Sequence, residues 1–314
     1  MRFCKFFLRL LSFTAAGAAG TLLLFHGAIH FLLEEYLPAK VKVIRITEKR
    51  ENLPAELSGM KIAFFADLHW KFGNDKRSLY RDLVERVKAE SPDLILIGGD
   101  VADQFLKKIP PEEIGTSLIP YLKKFSAPMG VYAVMGNHEA ACGREDYRKI
   151  FREAGIRSLE GERVYIPGSK NPHSGVELTG IMEVRWDNKT IPLPEDWEEE
   201  APLPEEPEKK NFYPLYLCHR PEVFSRLIQE EKRSFLLLAA HYHGGLFFIP
   251  FLKKGHIINQ RKKRPIAPYV YGSYREKDSF LYVTSGISGG YFFSRSRVNL
   301  PRELLILTLE KGKK

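Results

Sequence analysis

Short apolar runs alternate with amphipathic stretches through the first half of this chain. VKVIRI at 41–46 alternates as a strand with one wet face does, whereas KIAFFA at 61–66, DLILI at 93–97 and VYAVM at 131–135 are nearly continuous. Apolar runs of that length, bounded by turn residues, predict buried strands. Between them, residues 77–90 place Leu79, Leu83 and Val87 on one helical face, and Pro92 stops the helix. Residues 112–125 and 144–154 predict a second and a third helix, the third ended by Gly155. Strand and helix in alternation predict a parallel or mixed sheet covered by helices. After Gly161 the pattern is strand-rich: RVYI, VELTGI, YPLYL, FLLLAA, FLYVTSGI and ELLILTLE. Together the two halves predict an α/β fold, a four-layer α/β/β/α sandwich of two mixed sheets flanked by helices, over residues 40–314.

Three stretches break this pattern. Residues 10–33 form a run of 24 residues without Asp, Glu, Lys or Arg, preceded by Arg2, Lys5 and Arg9. That length spans a bilayer core as a helix, so residues 1–36 are expected to be an N-terminal membrane anchor; a cleaved signal peptide, a buried helix and an interfacial helix are the alternatives. Basic residues on both sides leave its orientation open. Residues 195–208 carry eight acids, several prolines and no base, a solvated insertion of about 187–210. Residues 246–274 have no acid and mix Lys253, Lys254, Arg261, Lys262, Lys263 and Arg264 with Phe247, Phe248, Phe251, Tyr269 and Tyr271. This stretch, about 246–275, is either a solvated basic face or a lid touching lipid or substrate.

Composition narrows the partners. With 48 Lys and Arg against 39 Asp and Glu the chain carries +9, which favours anionic partners. The basic run is one loop rather than a nucleic-acid-binding fold, so a phosphorylated, acylated small molecule and a membrane lipid surface are expected, and nucleic acid is not. Cys4, Cys142 and Cys218 are few, scattered and odd in number, which indicates neither a disulfide framework nor a thiolate zinc site.

The chemistry sits where the apolar runs stop. KIAFFA ends in Asp67-Leu68-His69, DLILI in Gly98-Gly99-Asp100-Val101-Ala102-Asp103, and VYAVM in Gly136-Asn137-His138-Glu139. YPLYL ends in Cys218-His219 and SFLLLAA in His241-Tyr242-His243-Gly244-Gly245. A single histidine of this kind is more often structural, but five such endings in series gather a polar site on a rigid scaffold. Asp, Asn and His without thiolate suit hard or borderline divalent cations such as Mn²⁺, Fe²⁺, Zn²⁺ or Mg²⁺. Two such ions bridged by a carboxylate clamp phosphoryl oxygens and lower the pKa of bound water.

DLH at 67–69, GDVAD at 99–103, GNHE at 136–139, CHRP at 218–221 and HYHGG at 241–245 resemble the five blocks of the calcineurin-like metallophosphoesterases, from about Lys61 to the end. The resemblance implies that Asp67, His69, Asp100 and His243 hold one metal, and Asp100, Asn137, His219 and His241 the second. It implies two divalent ions, Mn²⁺ favoured, and His138 as the catalytic histidine. Glu139 is expected to act with it by orienting its ring, and Asp103 is either a supporting residue or a helix N-cap. Ala240 stands where the family usually has glycine, and Glu139 where it more often has aspartate. The anchor and the basic-aromatic stretch resemble the membrane-associated branch of the family, which includes envelope phosphodiesterases and UDP-2,3-diacylglucosamine pyrophosphatases of lipid A synthesis. That branch implies cleavage of UDP-2,3-diacylglucosamine to lipid X and UMP at the bacterial inner membrane, on its cytoplasmic face. Phe247, Phe248 and Phe251 would then meet acyl chains, and Lys253 and Lys254 the diphosphate. Another envelope phosphodiesterase or a nucleotide phosphatase is the alternative; a non-catalytic module holding acidic lipid is the alternative of a different class.

Overall fold

The computed structural model describes residues 40–70, 78–102, 110–168, 171–182, 211–249, 254–257, 268–288 and 300–312. The expected anchor, the acidic insertion, Asp103, Phe251 and Lys253 lie outside them. No helix among the described residues is long and apolar enough to cross a membrane.

The first half runs β1 (Lys42–Arg50), β2 (Lys61–Phe65), α1 (Ser78–Glu90), β3 (Leu94–Ile97), α2 (Pro111–Leu122), β4 (Val131–Ala133), α3 (Asn137–Cys142), α4 (Arg144–Glu153) and β5 (Arg157–Ser158). The second half runs β6 (Arg163–Gly168), β7 (Asn171–Gly180), β8 (Asn211–Leu217), α5 (Val223–Glu230) and β9 (Leu236–Ala239). It continues with β10 (Leu246–Ile249), β11 (Lys254–Ile257), β12 (Gly272–Glu276), β13 (Ser279–Val283) and β14 (Glu303–Lys311).

These strands form two six-stranded sheets and a hairpin. One sheet has the order β1-β14-β2-β3-β4-β5, the other β12-β13-β9-β8-β7-β6, and β10 pairs with β11. In the first, β2, β3, β4 and β5 run parallel; β14 enters antiparallel to β2, with Leu305 opposite Phe64. In the second, β7, β8, β9 and β13 run parallel, with β6 and β12 antiparallel at the edges.

The two-residue period of a strand explains the layers. Ile62, Phe64, Leu94 and Leu96 point inward, into a core shared with Leu178, Leu215, Leu217, Leu236 and Leu238 of the other sheet. Their neighbours Ala63, Phe65, Ile95 and Ile97 point outward and pack with Leu83 of α1, Leu118 of α2 and Ile150 and Phe151 of α4. On the far side Tyr216, Leu237 and Leu281 pack with Phe224 and Leu227 of α5. Strands covered on both faces need apolar residues at every position, so the runs in the sequence are continuous rather than alternating.

Candidate metal centre

The parallel strands β2, β3, β4, β8 and β9 deliver their chemistry at their carboxyl ends, where open α/β sheets place ligands. The turn after β2 carries Asp67 and His69, and the turn after β3 carries Asp100. Asn137 and His138 open α3 after β4. His219 follows β8, and His241 and His243 follow β9. All eight side chains come together. Asp100 lies at the middle: its Oδ2 is 3.3 Å from His219 Nε2, 3.9 Å from His138 Nε2 and 4.0 Å from His69 Nε2. On one side His69 Nε2 and His243 Nε2 are 3.2 Å apart, and His243 Nδ1 is 3.9 Å from Asp67 Oδ2. On the other, His219 Nε2 is 3.2 Å from Asn137 Oδ1 and 3.1 Å from His241 Nδ1.

The spacings among Asp100, Asn137, His219 and His241 fit a divalent ion, while the Asp67–His243 and Asp100–His69 pairs on the other side are wider, at 3.9 and 4.0 Å. Ligand atoms about 2.1 Å from one ion at tetrahedral or octahedral angles lie about 3.0–3.4 Å from each other. The donor set agrees: Asp67, His69 and His243 could hold one ion, and Asp100, His219 and His241 another. His219 Nδ1–H donates to the carbonyl of Gly98 at 2.8 Å, which turns Nε2 toward the oxygens of Asp100 and Asn137, where the neutral ring would offer its electron pair to an ion and the charged ring donates to Asp100. A backbone carbonyl fixing the ring of a histidine in this way is the usual support of a metal ligand.

Electrostatics point the same way. Burial alone would raise the Asp100 carboxyl, but His219, then His138 and His69, outweigh it and hold it well below the ordinary range. Burial first, then the charge of Arg220, pushes His241 well below its ordinary range, so the ring is neutral and able to ligate.

The backbone is bent for this purpose. Of the eight non-glycine residues with positive φ among the described residues, five are Asp67, His69, Asp100, His241 and His243. Two glycines permit the crowding. A Cβ on Gly136 would lie 2.1 Å from Asp100 Oδ1, and one on Gly286, whose φ is +73°, would lie 2.5 Å from Asp67 Oδ2. Gly286 follows β13, and its loop is tied to the β2 turn by Ile287 N–H to the carbonyl of Ala66 and Ser288 N–H to that of Asp67.

Glu139 requires a correction. Its buried carboxylate does not orient the ring of His138. One oxygen accepts from the backbone N–H groups of Asp100 (2.9 Å) and Gly136 (2.8 Å), and the other from that of Ala102 (3.1 Å). At the third position of α3 the side chain turns back toward the helix start, as a capping glutamate does, and reaches across to the β3 turn. Burial, with Asp100 next, pushes this carboxyl up to about 7. Glu139 therefore braces the backbone of Asp100. His138 is held from its backbone, its N–H donating to Asp100 Oδ1 at 2.9 Å.

Cys218 is buried, its thiol 3.0 Å from the carbonyl oxygen of Arg220. The stretch read as either a solvated basic face or a lid includes the antiparallel hairpin β10–β11, which follows the His243–Gly245 turn directly and places Phe247 and Phe248 on one strand and Lys254 on the other. Three supporting residues escaped the sequence reading. Gly286 sits in an ordinary strand ending, and Arg220 was legible only as part of CHRP. Glu160, just after β5, accepts from Met135 N–H at 2.7 Å and from Arg144 at 3.0 Å, directly behind the GNHE turn.

The sequence profile described as calcineurin-like phosphoesterase matches residues 60–245, more than half of the chain. An uncharacterized metallophosphoesterase of Aquifex aeolicus (strain VF5) is 29% identical over 90% of this chain and 95% of its own length. Phosphodiesterase YaeI of Escherichia coli (strain K12) is 28% identical over 79% of this chain and 82% of its own. A transmembrane protein with metallophosphoesterase domain from Danio rerio is 23% identical over 91% of this chain but only 60% of its own length.

Proposed function

The chain belongs to the calcineurin-like phosphoesterase family, and from that premise we propose that it hydrolyses a phosphodiester or pyrophosphate bond with two divalent ions, Mn²⁺ favoured. The observation that carries this is the ring of acceptor atoms around Asp100, spaced as ligands of one ion are spaced and drawn from five strand ends. Asp67, His69, Asp100 and His243 would hold one ion, and Asp100, Asn137, His219 and His241 the other. Such a pair supplies Lewis acidity and an activated water. Asp100 would be the shared carboxylate, kept in place by Glu139. His138 stands at the mouth, its side chain 16% exposed, where it can give a proton to the departing oxygen.

The specific reaction we propose is cleavage of UDP-2,3-diacylglucosamine to lipid X and UMP at the cytoplasmic face of the inner membrane. It is supported by the apolar run at 10–33 and by the basic-aromatic sequence that continues directly from His243. Phe247, Phe248 and Phe251 would receive acyl chains, and Lys253 and Lys254 the diphosphate. The relative named phosphodiesterase YaeI supports the broader reading, a phosphodiesterase without that lipid.

The test is mass spectrometry of products from UDP-2,3-diacylglucosamine and from bis(p-nitrophenyl) phosphate, with Mn²⁺, for wild type and Asp100→Ala. Lipid X and UMP from wild type alone support both levels. Cleavage of the chromogenic diester without the lipid replaces the substrate and keeps the chemistry. Asp100→Ala is expected to lose at least about a thousandfold in diester turnover, on the scale of removing a main electrostatic group from a site. Unchanged turnover in that variant would falsify the two-metal account.

A further inference from the structure

Arg220 follows His219 directly, and its NH1 lies 2.8 Å from His241 Nε2. A guanidinium has N–H donors and no acceptor, so in this contact Nε2 must offer its electron pair and the proton of the neutral ring must sit on Nδ1. Nδ1–H then points at His219 Nε2, 3.1 Å away, and His219 Nδ1–H at the carbonyl of Gly98. Arg220, His241, His219 and Gly98 thus form one hydrogen-bond chain.

That chain and a metal exclude each other. The face of His241 turned toward His219 and Asp100 is Nδ1, the atom it would give to an ion. Once Nδ1 donates its pair outward, the ring carries its single proton on Nε2. Two N–H donors would then face each other at the Arg220 contact, with the charge of a dication added behind the ring. The usual partner of the far nitrogen of a metal-bound histidine is an acceptor, a carboxylate or carbonyl. Here it is a cation, so Arg220 must leave when the ion enters.

Where it goes follows from charge and shape. Arg220 is only partly buried and sits at the rim of the site, one residue from a ligand. A pair of dications draws in an anion, and the planar fork of a guanidinium matches two oxygens of a phosphate. We infer that Arg220 is a phosphate-recognition residue, stored on His241 until that histidine binds metal and then turned to the non-bridging oxygens of the substrate. This rests on the phosphoesterase reading for the anion, and on the local geometry alone for the competition with metal.

The two halves predict changes of opposite sign, which a merely structural arginine would not give. In the full-length purified chain, Mn²⁺ titration followed by electron paramagnetic resonance of the free ion measures the second binding constant. Calorimetry with inorganic phosphate measures anion affinity of the Mn²⁺-loaded protein. Arg220→Gln is expected to bind the second Mn²⁺ about tenfold tighter and phosphate about tenfold more weakly, the scale of one charge-assisted contact. Arg220→Lys, which keeps charge without the fork, should fall between the two for phosphate. Weakening of both constants in Arg220→Gln would make Arg220 a structural brace and overturn the inference, as would phosphate affinity equal to wild type. Hydrolysis of bis(p-nitrophenyl) phosphate by the wild type in the same samples reports separately on the phosphoesterase reading, so its failure is visible apart from the arginine comparison.

Discussion

Glu139 shows how a single side chain can be placed by motif and still be misassigned. GNHE put a carboxylate beside His138 in the sequence, and adjacency suggested an orienting partner. In the fold the helix start turns that carboxylate the other way, onto three backbone N–H groups that no sequence spacing records. Glu139→Gln keeps one acceptor oxygen but turns an amide N–H toward backbone donors. It is expected to cost about 1–3 kcal/mol in urea unfolding, the penalty of buried donors left unmatched. Because Asp100 is the group being held, the same variant should lose Mn²⁺ stoichiometry, whereas a residue that acted only through His138 would leave metal content unchanged. The ligands themselves were legible, since Asp, Asn and His at strand ends have little else to do in a core. Gly286 was not, because its value lies in the missing Cβ beside Asp67, a contact between turns far apart in the chain.

At the level of elements, burial on both faces made the strands easy to read, and three of the helices announced themselves by period. Pairing partners did not. Nothing local says that ELLILTLE slots between the first two strands, as β14 does, parallel to β1 and antiparallel to β2. The short helices α3 and α5 were hidden beneath the motifs that precede or open them. The β4–α3 turn also carries a pH dependence. Burial pushes the Glu160 carboxyl up to about 7, against the pull of Met135 N–H and Arg144. An unfolded glutamate loses its proton near 4.5, so between that pH and about 7 the unfolded chain has shed a proton that the folded chain keeps. Stability contributed by this group is present below pH 4.5 and is lost as pH rises through 7. In chelator-treated protein, Glu160→Gln should flatten this fall, by an amount on the order of 1–3 kcal/mol between pH 5 and 8. An equally steep decline in the variant would assign the slope to other groups.

For the whole molecule, the two sheets meet through one apolar core, and the site lies where the carboxyl ends of strands from both sheets approach. His219 of the second sheet bonds the carbonyl of Gly98 in the first. An ion bound there fastens the two sheets together and cannot be held by the unfolded chain in the same geometry, so it must stabilise the fold. Chelation should lower the melting temperature, and Mn²⁺ at about a hundred times its dissociation constant should restore about 2.7 kcal/mol per site. A melting temperature indifferent to chelator would mean that the histidines and aspartates are not gathered around metal in solution. The sandwich architecture was legible from the order of apolar runs; the way the sheets face each other across the site was not, because no local pattern encodes it.

Five candidate ligands hold left-handed backbone conformations that cost a side chain on the order of 1–3 kcal/mol each. Without metal, glycine at Asp67, His69, Asp100, His241 and His243 would relieve that strain. Thermal robustness and ligand identity are thus opposed at these positions. A library of variants sorted in chelator for survival of heating should drift toward glycine there. Sorted for turnover, the same library should keep aspartate and histidine and tolerate the lower melting point.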